Sequence, residues 1–273
     1  MSADGVSAPL AIPAKWAAPP GVRAWVTTRA GGVSTGGCAS LNLALHVDDA
    51  PAAALENRRR VRESLALPAE PLWLRQVHGT GVVVHEGVDS RVDPSRPETW
   101  PEADAAVTFE PGRVLAIQTA DCLPVVLASR DGGRLGAAHA GWRGLAGGVI
   151  ERTVEALGGA GREFVAWLGP AIGRDAFEVG DEVREAFLAY VPPAGSLVAA
   201  AAARDAAARA FERNARGRWQ ADLVRLARLR LAALGVEAVA ALDTCTHTEA
   251  ARWYSHRRDP RSGRMATLAW IAG

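Results

Sequence analysis

Residues 114–144 read VLAIQTADCLPVVLASRDGGRLGAAHAGWRG. They contain three short apolar runs, bounded by turn residues, that are typical of buried strands: 114–119, 124–128 and 134–138. From Gly144 to Leu157 the apolar residues recur at helical spacing, and Gly158 follows as a stop signal. The centre of the chain therefore predicts strands followed by a helix.

The flanking sequence mixes strand and helix patterns. Runs rich in β-branched, aromatic or other apolar residues predict strands over 22–28, 73–77, 81–86, 165–168, 236–242 and 265–271. Apolar periodicity predicts helices over 56–67, 181–190, about 200–214, and 220–234, and the proline-rich segment 91–102 is expected to be a loop. This mixture indicates an α+β fold, a mixed α/β layered sandwich. Without a fixed-period repeat or a long linker, we expect a single domain.

Composition limits the classes of function. The chain has 273 residues, 49% of them hydrophobic and 22% charged, which is ordinary for a soluble globular protein. A net charge of +1 gives no reason to expect a nucleic-acid or membrane partner. Three cysteines, at 38, 122 and 245, form no disulfide framework, and residues 1–20 lack the pattern of a secretory signal. We therefore expect a cytoplasmic protein.

Three short motifs each place one possible metal ligand beside turn residues: QVHG with His78, DCLP with Cys122 and HAGWRG with His139. Catalytic zinc commonly takes three protein ligands and leaves a fourth position open. The residues alone leave alternatives, because a free cysteine is most often a small buried hydrophobe. The next alternative is a nucleophile, because a neighbouring histidine could activate the Cys122 thiol, and the residues alone rank a metal ligand after both.

The motifs resemble those of the YfiH-like, or laccase-domain, family, whose members are described as purine nucleoside phosphorylases and formerly as polyphenol oxidases. Further segments carry the resemblance in the same order: TTRAGGVS from 27, SLNL from 40, HVDD from 46, LGPAI from 168, DTCT from 243 and YSHRRD from 254. It implies one domain over 21–273, with sheets between helices, after an N-terminal lead of residues 1–20. It also implies a metal site formed by His78, Cys122 and His139.

Other residues are candidates for substrate contacts. The candidate anion-binding residues are Arg29, Arg143, Arg257 and Arg258. Arg143 has the best claim because it lies beside a metal motif and a predicted helix start. Asn42 is expected to bind a hydroxyl or a base edge. Asp121, next to Cys122, is expected to orient a ligand or to transfer a proton. The predicted catalytic residues are thus Cys122, His139 and Asp121.

The expected metal is zinc, with copper as the alternative. Two histidines and a cysteine also describe a blue-copper centre, whose weak axial ligand would be Met265. Six histidines without a His-x-His pair exclude a true laccase, which needs about ten for its copper centres.

The resemblance implies cleavage of adenosine and inosine by phosphate, giving ribose 1-phosphate and a free purine, together with adenosine deaminase activity. The substrates are then small molecules, a purine nucleoside and phosphate. Two further enzyme functions stay open at this stage: a hydrolase that edits peptidoglycan precursors, and a copper-dependent polyphenol oxidase. An open three-ligand site argues against a non-catalytic binding module.

Overall fold

Two stacked β-sheets form the centre of the protein. The computed structural model describes residues 8–87, 89–191 and 197–273. Its strands are β1 Ala11–Pro13, β2 Val22–Thr27, β3 Val82–Val84, β4 Ala105–Thr108, β5 Val114–Thr119, β6 Leu123–Ser129, β7 Leu135–Ala140, β8 Phe164–Leu168, β9 Glu178–Val179, β10 Phe211–Arg213, β11 Trp219–Ala221, β12 Ala238–Ala241 and β13 Met265–Ile271. The helices are α1 Pro51–Ser64, α2 Trp142–Gly147, α3 Val149–Leu157, α4 Asp181–Leu188, α5 Leu197–Ala208 and α6 Leu223–Ala233.

The sheets are layered between helices. One sheet has the strand order β1-β2-β13-β5 and the other β12-β8-β6-β7-β4-β3, while β10-β11-β9 forms a small third sheet. Side chains of β6 alternate between two cores: Val125 and Leu127 pack against α3 and α6, and Val126 faces the four-stranded sheet. A third core covers the outer face of that sheet with Val61 of α1. The predicted α+β sandwich with sheets between helices is confirmed.

The hairpin β6–β7 explains why the central segment is so apolar. Both strands are buried on both faces, so their residues are apolar almost without interruption. The register pairs Pro124 with His139, which places the beginning of β6 beside the end of β7. The loop from β5 to β6, which contains Cys122, therefore reaches the same edge of the sheet as His139.

The predicted strand over 73–77 is wrong, although the neighbouring prediction at 81–86 is confirmed in its centre as β3. Around residues 73–77 the chain makes only isolated bridges, Leu72 with Leu115 and Arg75 with Glu102. The Gln76 side chain replaces a strand partner, because its amide donates to the Gln118 carbonyl at 2.9 Å and accepts from the Gln118 N–H at 2.8 Å. Tertiary contacts thus satisfy backbone groups that a ladder would otherwise use.

Helix boundaries also differ from the predictions. The helix expected from Gly144 onward is two helices, because Gly148 adopts a left-handed φ of 100° between α2 and α3. The helices expected over 200–214 and 220–234 are interrupted by the hairpin β10–β11. Asp222 ends that hairpin and caps α6, since its side chain accepts the Arg225 N–H at 2.8 Å.

At the amino terminus, Ala11–Pro13 pairs with β2 as an edge strand, so part of the predicted lead extends the four-stranded sheet. The boundary between a lead of 1–20 and a domain of 21–273 stays a prediction. None of the helices in the described ranges has the length and apolar character needed to span a bilayer.

Candidate metal site

The three predicted ligands lie together at one edge of the six-stranded sheet. Ligand atoms of His78, Cys122 and His139 all lie within 4.8 Å of one another. The distance from Cys122 Sγ to His78 Nε2 is 3.8 Å, and the two imidazole rings meet edge to face with centroids 4.8 Å apart. A tetrahedral zinc ion with ordinary bond lengths would separate sulfur and nitrogen ligands by about 3.5 Å. The trio therefore fits a zinc-sized ion with little movement.

One side of the trio faces solvent. His139 is only 3% exposed, Cys122 is half-buried and His78 is exposed. The sulfur and the buried ring form the floor, and the exposed ring forms one wall. Three ligands on one side leave the remaining position of a tetrahedral ion accessible from solvent, as in catalytic rather than structural zinc sites.

Asp104, which the sequence analysis missed, contacts both histidine ligands. Its fully buried carboxylate lies 2.8 Å from His139 Nδ1 and accepts the N–H groups of Val77, His78 and Gly79 at 3.2, 2.9 and 2.6 Å. With Nδ1 directed at Asp104, His139 turns Nε2 toward the trio. Burial acts to raise the pKa of the Asp104 carboxyl, but the His139 ring and these N–H groups lower it overall, so the carboxylate form is favoured.

The ligands perturb one another electrostatically. Burial tends to raise the pKa of the Cys122 thiol, but His139 and His78 outweigh it and lower the pKa to about 6. Burial tends to lower the pKa of His139, whereas Cys122 and Asp104 raise it to about 9. A thiolate at neutral pH is the form in which cysteine binds metals.

Left-handed backbone conformations occur at two residues of the site. His78 has a φ of 61° and Asp121 a φ of 91°, which are uncommon for residues other than glycine. At His78 the left-handed turn lets three successive N–H groups point at Asp104, an anion-binding nest within the protein. At Asp121 it directs the chain from the four-stranded sheet into the six-stranded one just before Cys122. Such strain concentrates at functional sites.

The Asp121 carboxylate anchors the carboxy-terminal loop instead of facing the trio. It accepts the hydroxyls of Thr246 at 2.6 Å and Ser255 at 3.0 Å, and the Arg257 N–H at 2.7 Å. The two roles that the sequence suggested for Asp121, orienting a ligand or transferring a proton, stay predictions. Through these contacts, the segments containing Thr246 and Arg257 are held beside Cys122.

Gly141 has no side chain, and this leaves room for the neighbouring side chains of Cys122 and His78. A Cβ atom there would lie 2.9 Å from Cys122 Sγ and 3.0 Å from His78 Cδ2, closer than van der Waals contact. Its own φ of −62° suits any residue, so the requirement for glycine is steric.

We expect Gly141→Ala to fold normally and to bind zinc at least about tenfold more weakly, because both ligands must move away from the added methyl group. Zinc affinity measured by chelator competition tests this. Gly133→Ala in the β6–β7 turn is the matched control, since its Cβ would meet its nearest neighbour at 3.6 Å. Equal affinities of the two variants would contradict the steric argument.

The candidate anion-binding arginines differ in what their guanidinium groups contact. Arg143 is exposed and stacks on Trp142, 4.4 Å from the ring centre, without an ion pair among the described residues. Arg257 is exposed and donates to the Glu178 carbonyl at 3.0 Å. Arg29 directs its guanidinium at the carbonyls of Ala39 and Ala250, so it cross-links two loops in this conformation.

Asn42 is fully buried. Its amide donates to Ala44 and Asp49, and its carbonyl accepts the N–H groups of Ala44 and Arg264. The two donors and two acceptor sites of an asparagine are thereby all used. This arrangement leaves no group on Asn42 for a substrate, in contrast to what the sequence suggested, and it explains the residue by loop structure.

Arg264, also missed from the sequence, is a second cation near the trio. It is half-buried directly before β13, and its Nη1 donates to the carbonyls of Ser262 and Gly263 at 2.6 and 3.1 Å. Burial lowers the pKa of Arg264, and the charges of Cys122 and Asp121 oppose that effect. Only the pairing of β13 with β5 brings it to this edge, so local sequence offers no signal for it.

Comparison with known proteins identifies the family of the chain. The profile of the family described as "Multi-copper polyphenol oxidoreductase laccase" matches residues 23–272. A purine nucleoside phosphorylase of Pseudomonas aeruginosa is 51% identical over 257 residues, covering 94% of this chain and 96% of the relative. Purine nucleoside phosphorylase YfiH of Escherichia coli is 44% identical over 257 residues, covering 94% and 97%.

Solved structures give the same assignment. The crystal structure of a Neisseria meningitidis protein superposes with a TM-score of 0.83 at 41% identity, over 97% of this chain and all of that one. YlmD from Geobacillus stearothermophilus superposes with a TM-score of 0.77 at 32% identity, over 93% of each chain. The chain therefore belongs to the laccase-domain family of YfiH-like proteins.

Proposed function

We propose that this protein is a zinc-dependent purine nucleoside phosphorylase that cleaves adenosine and inosine with phosphate, with adenosine deaminase as a second activity of the same site. The observation that carries the proposal is the solvent-facing His78–Cys122–His139 trio, in a chain whose relatives are named purine nucleoside phosphorylases. The substrates are small molecules, and we place the reaction in the cytoplasm.

In this reaction a phosphate oxygen forms a bond to C1′ of the ribose as the bond from C1′ to the purine nitrogen breaks. The bonding electron pair leaves with the purine, which takes up a proton, and ribose 1-phosphate remains. Bound zinc would supply Lewis acidity at the trio. The protein contributes positioning: His78, Cys122 and His139 hold the ion, and cationic side chains hold the phosphate.

Arg143 is the first of those cations. It is exposed, follows Gly141 by two residues, and Gly141 lies directly against Cys122 and His78. The six residues of α2 provide few aligned peptide dipoles, so we assign phosphate binding to the guanidinium and not to the helix terminus. Arg264, on the side of the four-stranded sheet, adds a second positive charge near Cys122.

The site favours zinc over a blue-copper centre. Met265, the only methionine after Met1, is fully buried between the sheets, and its Sδ accepts the Tyr254 N–H at 3.0 Å. Its position in β13 keeps it in this core, so it does not serve as an axial copper ligand. Among the described residues the trio is also the only group of this kind, whereas a laccase needs several copper centres.

The experiment is to incubate zinc-loaded protein with inosine, with and without phosphate, and to identify the sugar product. We expect hypoxanthine release to depend on phosphate and the product to be ribose 1-phosphate. Equal rates without phosphate, with free ribose as product, would show a hydrolase. Cleavage of a peptidoglycan precursor in place of inosine would favour the editing function, and copper-dependent phenol oxidation would favour the oxidase.

A further inference from the structure

Asp104 is not one of the three predicted ligands, but its carboxylate lies next to them. The residue directly precedes β4, and its carboxylate is fully buried. Oδ1 faces His139 Nδ1 and the His78 N–H, and Oδ2 accepts the N–H groups of Val77 and Gly79. Its backbone carbonyl accepts the His139 N–H at 2.7 Å. One residue therefore contacts the segments that carry both histidine ligands.

Only a carboxylate satisfies this arrangement. Four donors converge on the side chain, and an ionised carboxylate offers about four acceptor positions and no donor. An asparagine in the same place would direct its NH₂ group at the His78 N–H or at the N–H groups of Val77 and Gly79, whichever way the amide is turned. The surroundings of Asp104 are thus specific for negative charge, even though the site is buried.

The same contacts offset the unusual backbone of His78. A left-handed φ of 61° is unfavourable for histidine, but it is the conformation that aims three consecutive N–H groups at one anion. Without the carboxylate these N–H groups would lose their acceptor, and the segment would relax toward an ordinary conformation. The direction of the His78 ring therefore depends on Asp104.

We propose that Asp104 is the positioning residue that builds the metal site before the metal arrives, by fixing His139 with Nε2 toward the ion and by holding the 77–79 loop that presents His78. The inference rests on the metal site of the proposed function. Asp104 touches neither the ion nor the substrate, and it acts through both histidines. Outer-shell carboxylates of this kind orient ligating histidines in other metal sites.

The test compares Asp104→Asn with Asp131→Asn. Asp131 is a suitable control because it also accepts a backbone N–H, from Gly133 at 3.0 Å, in the turn at the opposite end of β6 and β7. We expect Asp104→Asn to weaken zinc binding by about 10- to 100-fold in chelator competition, and Asp131→Asn to leave it unchanged. Circular dichroism would confirm that each variant is folded at the temperature of the titration.

A second readout requires no variant. In zinc-loaded wild-type protein, nitrogen-correlated NMR should show the His139 ring hydrogen on Nδ1, protected from exchange by Asp104. Metal at Nδ1, with the hydrogen on Nε2, would overturn the inference, as would wild-type zinc affinity in folded Asp104→Asn protein. Zinc affinity does not depend on turnover. Either result would therefore contradict the role of Asp104 without contradicting phosphate-dependent cleavage. Phosphate-independent cleavage of inosine would contradict the proposed function without contradicting the role of Asp104.

Discussion

Replacing Cys122 with alanine is expected to give a folded protein that no longer retains zinc. Cys122 supplies the only sulfur of the trio, and the two remaining imidazoles cannot enclose the ion. Removing a residue that only orients a ligand weakens metal binding by about 10- to 100-fold, and removal of the ligand itself should weaken it more. Zinc per chain after dialysis, measured by elemental analysis, should fall from about one to near zero, and nucleoside cleavage should fall with it.

Cys245→Ala is the matched control for this change. Cys245 is a half-buried cysteine whose Sγ accepts the Gly173 N–H at 3.1 Å, outside the ligand trio. We expect that variant to keep its zinc. Circular dichroism should show that both metal-free variants are folded, so that a difference in zinc content reports the ligand set. Full zinc occupancy in the Cys122→Ala protein would disprove the ligand assignment.

The layers of the fold and the metal ligands are predicted from different features of the sequence. The strands β5, β6 and β7 are buried on both faces, so their apolar runs follow directly from packing. His78, Cys122 and His139 were found because their motifs resemble a family, since spacing alone does not show that they meet. The structure brings them together through the register of β6 with β7 and the turn at Asp121.

The features that the sequence failed to predict all depend on long-range contacts. Asp104 reads as an ordinary acidic residue before an apolar strand, and its role appears only through His139, 35 residues away. The segment 73–77 looks like a strand by composition, but Gln76 bonds to Gln118, 42 residues later. Asn42 was expected to bind a hydroxyl or a base edge, whereas its amide closes a loop with Asp49 and Arg264. Local pattern carries no information on such partners.

Replacing Arg143 with lysine is expected to raise the apparent KM for phosphate by about 10- to 100-fold, with little effect on the KM for inosine. Lysine keeps the charge but loses the planar fork that binds two phosphate oxygens, and a charge-assisted hydrogen bond contributes about 1.5–3 kcal/mol. Arg143 is exposed, so the change should leave folding intact. Initial rates measured over a range of phosphate concentrations test it.

Arg152→Lys is the control, because Arg152 is exposed on α3 and pairs with Glu155. If both variants keep the wild-type KM for phosphate, another cation binds the anion, and Arg264, half-buried near Cys122, becomes the residue to replace.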